Sequence, residues 1–468
     1  MNILALLNPS EKTALIQGNK RITYAGLLEN GLAFGARLRR AGVGEGSHIL
    51  VFVPLSIDLY IAMIGAWSIG AAAIFIDYSQ GSKFVSDSID RLKPDAIVCD
   101  GVTGLVRRRY AKLRKIQAVS IKSRDQAIPA SIFNAQPNHP AILTFTSGTT
   151  GVPKVAVRTH GFLIHQYHAL RQHMDFSQAH VDLGTLPVFT LANLAANITT
   201  LLPDKSYTSK VNHRRLAKKI EKEGVTRAIA SPTLVANLLQ YSEMPHLKCA
   251  YLGGGPVYPR VLEKIRRDVN LHIVYGSTEA EPIAGVAWAA VSPEDRQRIA
   301  RGEGLPVGDV VPEVTCRIGE RNEILVTGET VLKGYLGGIG DEENKIREGD
   351  NIWHKTGDAG YFDSQGRLWL LGRVSQAIHD NDGVLYPFCV ECVLDGAFGI
   401  RGAILLWQDQ RTVVIEKSAA DPGKVLAALS PQKISRVLEV KKIPMDKRHR
   451  AKVDYEKLKL AIKNGGMK

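Results

Sequence analysis

Disulfide chemistry has little to work with in this chain. Its 468 residues include five cysteines (Cys99, Cys249, Cys316, Cys389 and Cys392), an odd count with no framework spacing, which suits a reducing compartment. Cys389 and Cys392 stand at metal-ligand spacing, but no second Cys/His pair accompanies them and a structural zinc takes four ligands. No metal is expected there. A secretory leader is also missing: Met1-Asn-Ile-Leu-Ala-Leu-Leu has no basic start and soon meets Glu11-Lys12, so the expected location is cytoplasmic. Leu59 to Ile76 comes nearest to a membrane-spanning run, yet it contains Gly65, Ser68 and Gly70 and ends at Asp77. Leu59–Ser68 has helical spacing and Ala71–Ile76 reads as a buried strand, which predicts a buried helix-turn-strand instead. Internal repeats and low-complexity tracts are absent.

Acidic charge is in short supply. Lysine and arginine number 60 against 46 aspartates and glutamates, a formal net charge of +14. The excess gathers in residues 107–115, in 210–222 and in the C-terminal stretch. Solvated helix faces account for most of it, with anionic lipid, an acidic protein or polyphosphate as functional alternatives. No zinc-finger or RNP-type signature accompanies the charge, so nucleic acid is not an expected partner. Membrane contact is expected to be peripheral at most, through the basic patches. Apolar residues at 45% and charged residues at 23% are ordinary for a globular chain long enough for two or three domains.

What the sequence does have is concentrated in residues 144–154, Thr-Phe-Thr-Ser-Gly-Thr-Thr-Gly-Val-Pro-Lys. Thr146, Ser147, Thr149 and Thr150, with Gly148 and Gly151, precede a single lysine, Lys154, after an apolar strand-like lead-in. Glycines let backbone N–H groups turn toward an anion, hydroxyls add donors, and a lysine adds charge. That is phosphate chemistry, although the loop is not a Walker A, whose Gly-Lys-Ser/Thr is missing. Elsewhere, strand-like runs (His48–Val53, Ala96–Cys99, Ala141–Thr144, Arg227–Ala230, Ala250–Leu252, His272–Tyr275) alternate with helical patterns and predict α/β layers with parallel sheets. After about residue 305 the strands crowd together (Thr315–Ile318, Glu323–Val326, Ala359–Asp363, Leu368–Leu371), which predicts a small antiparallel sheet closing a large domain of residues 1–373. Residues 374–468 then form a small α+β domain.

At 144–154 the sequence resembles the adenylate-forming superfamily of acyl-CoA synthetases, peptide-synthetase adenylation domains and luciferases. Four further stretches resemble that family's motifs in the same order: Tyr275-Gly-Ser-Thr-Glu279, Thr356-Gly-Asp358, Gly372-Arg373 and the segment around Lys452. Within the family, residues 443–458, with Arg448-His449 ahead of Ala451-Lys452, are similar to the β-lactone synthetases of bacterial olefin-hydrocarbon pathways. Residues 353–363, Leu186-Pro-Val-Phe189 and Leu202-Pro-Asp204 share that similarity. The chain is shorter than expected for that branch. It also has Ser375 where the family's hinge carries Asp or Lys.

The resemblance implies ATP and Mg²⁺ as cofactors and a role for each motif residue. Thr146, Ser147, Gly148, Thr149, Thr150, Gly151 and Lys154 would cradle phosphates. Tyr275, Gly276 and Ser277 would line the nucleotide, Tyr275 offering its flat face to adenine. Thr278 would donate to the α-phosphate, and Glu279, a hard carboxylate, would bind the metal. Asp358 would take the ribose hydroxyls with Arg373 beside it, and Lys452 would be the catalytic cation between carboxylate and α-phosphate. Gly253, Gly254 and Gly255 would leave room at the adenine–acyl boundary. His449 could polarise a substrate hydroxyl, with a backbone-bonded histidine as the equal alternative. Val188, Phe189 and Asn193 are candidates for the acyl pocket, where no acidic residue stands ready for an amino group, so an apolar acid is favoured over an amino acid. The expected activity is ATP-dependent formation of an acyl-AMP from a fatty or 3-hydroxy fatty acid, followed by β-lactone closure. The alternatives are transfer to CoA or an acyl-carrier protein, and a silent adenylate-binding protein.

Overall fold

The longest apolar stretch shows how local sequence becomes architecture. Ser56 caps a helix over Ile57–Ser68 by accepting from the Leu59 N–H, and every helical residue but Asp58 is buried. At about 1.5 Å per residue it is far too short to cross a bilayer. A turn leads into the strand Ala72–Phe75, the helix-turn-strand that the run predicts. Against this helix lies Tyr24–Arg40, and the crossing is close because glycines face it. A Cβ on Gly31 would stand 2.3 Å from Ile64, one on Gly35 2.2 Å from Ser68, and one on Gly65 2.5 Å from the Phe34 ring. Among the described residues no helix is long and apolar enough to cross a membrane.

A computed structural model describes the chain except for residues 78–79, 100, 123–130, 147–153, 178–179, 205–209, 418–419, 446–452 and 464–468, and the side chains of residues 102, 146, 210 and 211. The Ala72–Phe75 strand belongs to a six-stranded sheet in the order Gln117–Ala118, Ala96–Cys99, His48–Phe52, Ala72–Phe75, Pro140–Thr146, Lys154–Thr159. All its pairs are parallel except the last. Continuous apolar strands such as His48–Phe52 suit a sheet covered on both faces.

A second sheet runs through most of the remaining large unit. Its parallel part is ordered Thr13–Gln17, Thr199–Leu202, Val181–Gly184, Arg227–Ala230, Cys249–Leu252, Asn270–Ser277. It then turns antiparallel through Ala280–Ala287 and Leu305–Val310 into Leu368–Arg373, Asn351–Phe362, Glu323–Gly328 and Val314–Ile318. The antiparallel strands after residue 305 are therefore present, but they continue this sheet instead of standing apart. Their junction is narrow: only Ala284↔Val310 and Gly285↔Asp309 pair there.

Beyond Arg373, the strands Gly402–Trp407, Gln410–Glu416 and Arg436–Val440 form a separate sheet. Strand alternation gives it two apolar faces. Ile404, Val413 and Ile415 pack with Val390 and Leu394 of the helix Pro387–Phe398. Ala403, Leu405 and Val414 pack with Leu458 and Ile462 of the helix Tyr455–Lys463. Glu391 ties this part to the large unit: its buried carboxylate accepts from the Tyr258 hydroxyl at 2.8 Å and the Tyr455 hydroxyl at 3.1 Å. Cys389 and Cys392 lie buried on the same helix, burial pushing the Cys389 thiol up to about 12. No cluster of three metal-ligating side chains occurs among the described residues.

Candidate active site

The parallel strands of the second sheet end on one side of the molecule, where ligands bind in open α/β folds. A cavity of about 1160 Å³ opens there, between those strand ends, the antiparallel extension and the C-terminal part. Of the residues the sequence singles out, Lys154, Val188, Phe189, Gly254, Gly255, Tyr275, Gly276, Ser277, Thr278, Glu279, Asp358 and Arg373 line it. Ser147, Gly148, Thr149, Thr150, Gly151, His449 and Lys452 lie outside the described residues, as does the Thr146 side chain. Val453 and Tyr455, next along from Lys452, line the cavity, as does Ser375.

Two candidates belong elsewhere. Asn193 is fully buried in a polar knot. Its amide donates to Asp182 Oδ2 at 2.5 Å and Thr200 Oγ1 at 3.2 Å, and its carbonyl accepts from Arg227, which also pairs with Asp182 at 3.0 Å. Asn193 bridges the two members of a buried ion pair, donating to the carboxylate and accepting from the guanidinium, and it does not line the cavity, so it is not an acyl-pocket residue. Gly253 does not line the cavity either. A Cβ there would come within 2.7 Å of the Val274 carbonyl, so close backbone packing requires the glycine. Gly254 has φ +71°, and a Cβ on Gly255 would meet nothing within 4 Å. The open side of the loop is thus Gly255.

Asp358 sits at the centre of one wall. It faces Arg373 across the strand pair, and their Asp358 Oδ1–Arg373 Nε distance is 3.1 Å. The Tyr275 hydroxyl donates to Asp358 Oδ2, also at 3.1 Å. Burial, then the Asp358 charge, raises the Tyr275 phenol well above its usual value, so it stays a donor. The strand is locally shaped for this: Gly357, inside Asn351–Phe362, has φ +72°, and the Asp358 N–H donates to Thr356 Oγ1.

Glu279 also lines the cavity, and its Oε1 accepts from the Tyr335 hydroxyl at 2.9 Å. Lys154 is almost wholly buried, its ammonium donating to Asn344 Oδ1 at 2.7 Å and lying 5.2 Å from the Tyr335 ring centre. Burial lowers its pKa, with Glu279 and Glu343 acting against the shift. Lys345, also buried, donates to the Leu332 carbonyl, and burial brings it down to about 8. His354, paired across the strands with Lys345, is held neutral near 4 by burial and the neighbouring Lys345 charge. Arg158 donates to the Thr278 carbonyl at 2.8 Å. Glu281 is half-buried, and desolvation raises its carboxyl to about 7 against the pull of Arg158.

Arg158, Tyr335, Asn344 and His354 line the cavity but were not legible as site residues. One of them carries a signal: His354 shares the strand Asn351–Phe362 with Asp358, and all of residues 354–358 line the cavity. Tyr335, Asn344 and Lys345 reach the site only through long-range packing.

The apolar end of the cavity is made by Leu186, Pro187, Val188 and Phe189 with Val257 and Val307. The cavity lining combines a carboxylate held by a cation and a phenol, a second carboxylate held by a phenol that lies beside buried cations, and an apolar stretch. It can bind a polar, anionic molecule beside an apolar one and hold fixed charges against both.

Comparison with known proteins agrees with this geometry. A model of the AMP-binding enzyme family matches residues 5–336. An olefin beta-lactone synthetase of Xanthomonas campestris is 29% identical, covering 93% of this chain and 90% of its own length. A 2-succinylbenzoate–CoA ligase of Bacillus licheniformis is 25% identical, covering 82% of this chain and 81% of the relative. Among solved structures, O-succinylbenzoate coenzyme A synthetase of Bacillus subtilis, in complex with AMP, superposes with a TM-score of 0.81 at 20% identity, covering 98% of this chain and 97% of the other. The family match spans well over half of the chain and takes in Lys154, Tyr275 and Glu279 of the cavity, and on that basis the chain belongs to the AMP-binding enzymes, the adenylate-forming superfamily.

Proposed function

We propose that this enzyme, which as a family member activates a carboxylic acid as its acyl-AMP, takes a 3-hydroxy fatty acid and closes it to a β-lactone. The observation that carries the reading is that Asp358, Glu279 and the apolar Val188 and Phe189 all line one cavity. Residues 1–373 are the adenylation domain in this reading, and 374–468 bring Lys452 to it. Likeness to two olefin beta-lactone synthetases over more than 90% of the chain supports the choice of acid.

The donor set fits ATP. Asp358, fixed by Tyr275 and Arg373, suits the ribose hydroxyls, and Lys154 with the hydroxyls of residues 146–150 suits the phosphates. Glu279, which belongs to no cluster of three metal-ligating side chains among the described residues, fits Mg²⁺, which is commonly bound by one or two carboxylates plus substrate phosphates. Bound there, the ion would offset phosphate charge. The relative from Bacillus subtilis has been solved with ATP and magnesium.

In the first step a carboxylate oxygen of the acid bonds to the α-phosphorus, and the bond to the β-phosphate oxygen breaks, releasing pyrophosphate. Lys452 offsets the charge shared by the two anions. In the second, the 3-hydroxyl oxygen bonds to the acyl carbon and gives up its proton, and AMP leaves with the bonding electrons. The nucleophile is already tethered, so no second substrate has to be captured.

The test is product analysis with ATP and no CoA. A 3-hydroxy fatty acid should yield AMP and a β-lactone, whereas the matching plain acid should support pyrophosphate exchange but release little AMP. A CoA thioester formed equally well from the plain acid would move the assignment to acyl-CoA ligation, the reading that likeness to 2-succinylbenzoate–CoA ligases favours.

A further inference from the structure

Glu279 has a neighbour with no counterpart among the motifs. Tyr335 is 5% exposed and lies 56 positions away in sequence, yet its hydroxyl donates to Glu279 Oε1 at 2.9 Å. The segment bearing Tyr335 is pinned to the backbone of Glu279 itself. The Leu332 N–H donates to the Glu279 carbonyl at 2.7 Å, and Val331 pairs with Ala280. The phenol therefore meets the carboxylate from a frame that moves with it.

Two buried ammonium groups lie over the Tyr335 ring, Lys154 at 5.2 Å and Lys345 at 5.4 Å from its centre. Lys345 also donates to the Leu332 carbonyl, closing the frame on a second side. Lys154 is held in turn by Asn344 and by Gly340, where a Cβ would come within 2.4 Å of the lysine's Cδ. A desolvated cation over an aromatic face is attracted by the ring's quadrupole, which favours one ring orientation. An unheld glutamate side chain would lose rotamer freedom on binding a ligand.

We propose that Tyr335 is a positioning residue for Glu279: its hydroxyl sets the carboxylate's orientation toward a divalent cation, and Lys345 holds Tyr335 in place. The inference rests on the reading of Glu279 as the magnesium carboxylate. Groups that orient a metal-binding side chain typically account for about 10–100-fold in metal affinity.

The experiment uses the full chain and two readouts: ATP binding by calorimetry with and without Mg²⁺, and the Mg²⁺ dependence of acid-dependent pyrophosphate exchange. Tyr335→Phe keeps the ring and both lysine contacts and removes only the hydroxyl. It should raise the half-saturating Mg²⁺ concentration about tenfold or more, leave Mg²⁺-free ATP binding unchanged, and recover its exchange rate at saturating Mg²⁺. Lys345→Met should shift the Mg²⁺ dependence in the same direction, and Lys345→Arg, which keeps the charge, should shift it less. Tyr335→Phe with unaltered Mg²⁺ dependence overturns the proposal. So does a Tyr335→Phe protein that loses Mg²⁺-free ATP binding as much as Mg²⁺-dependent binding, because that is a purely structural effect. Glu279→Gln separates the two readings. If it too leaves the Mg²⁺ dependence intact, the metal assignment has failed; if it abolishes the dependence while Tyr335→Phe does not, only the positioning role has failed.

Discussion

Asp358→Asn is the sharpest test of the nucleotide wall. The substitution keeps the side chain's volume but removes its charge and turns one accepting oxygen into an N–H donor. In the protein, Asp358 Oδ2 accepts from Tyr275 and Oδ1 faces Arg373 Nε, both at 3.1 Å. An asparagine must present its amide to one of two donors or to the ribose, so at least one hydrogen bond to a charged acceptor is lost. Such a bond is worth about 1.5–3 kcal/mol, which corresponds to roughly a 10–150-fold rise in KM for ATP. Turnover at saturating ATP should fall far less, because the ribose contact is made equally in ground and transition states. The assay is pyrophosphate exchange with ATP, 2′-deoxy-ATP and 3′-deoxy-ATP. The wild-type enzyme should disfavour at least one deoxy analogue, and Asp358→Asn should lose that discrimination. A KM within twofold of wild type, or discrimination left intact, would show that the ribose is not held at Asp358.

Two further expectations address other parts of the molecule. Lys452→Ala should slow adenylation by about 10²-fold or more while ATP affinity stays within a few-fold; exchange kinetics beside calorimetry check it, and near-normal exchange would mark Lys452 as an ordinary surface lysine. Asp295 is buried, and its two oxygens each accept from Arg367 at 2.8 Å, which draws its carboxyl from the ordinary 3.8 down to about 2 against the effect of burial. A folded pKa below the unfolded one means stability that is present above about pH 4 and lost as pH falls through 2. The amount is about 2 kcal/mol. Asp295→Asn should therefore unfold at lower urea concentration at pH 7 and lose less stability than wild type between pH 5 and pH 2.5; parallel pH profiles would refute the pairing.

Sequence by itself determined whatever depends on near neighbours. The periods of apolar residues marked Ile57–Ser68 as helix and Ala72–Phe75 as strand, because a helix and a strand bury different spacings. Thr356-Gly-Asp358 was legible because three consecutive residues suffice to carry its resemblance to a family motif, with no distant partner needed. Glu279 and Tyr275 were likewise reachable, since both belong to one strand end and its turn. Tertiary structure alone decided which distant segments meet. Asn193 looks like a pocket residue beside Phe189, and only the pairing of the 181–184 and 227–230 strands reveals that Asp182 and Arg227 claim it. Gly253 looks like a ligand glycine until the neighbouring strand brings the Val274 carbonyl against it. The antiparallel strands after residue 305 announce themselves locally, but their attachment to the large sheet rests on two residue pairs that no local pattern encodes. Tyr335 and Lys345 are the fullest case: neither lies in a recognisable motif, and they reach Glu279 because folding closes the chain between them. Local spacing tells a residue which way to face, whereas its partner is set by the order in which strands are laid side by side.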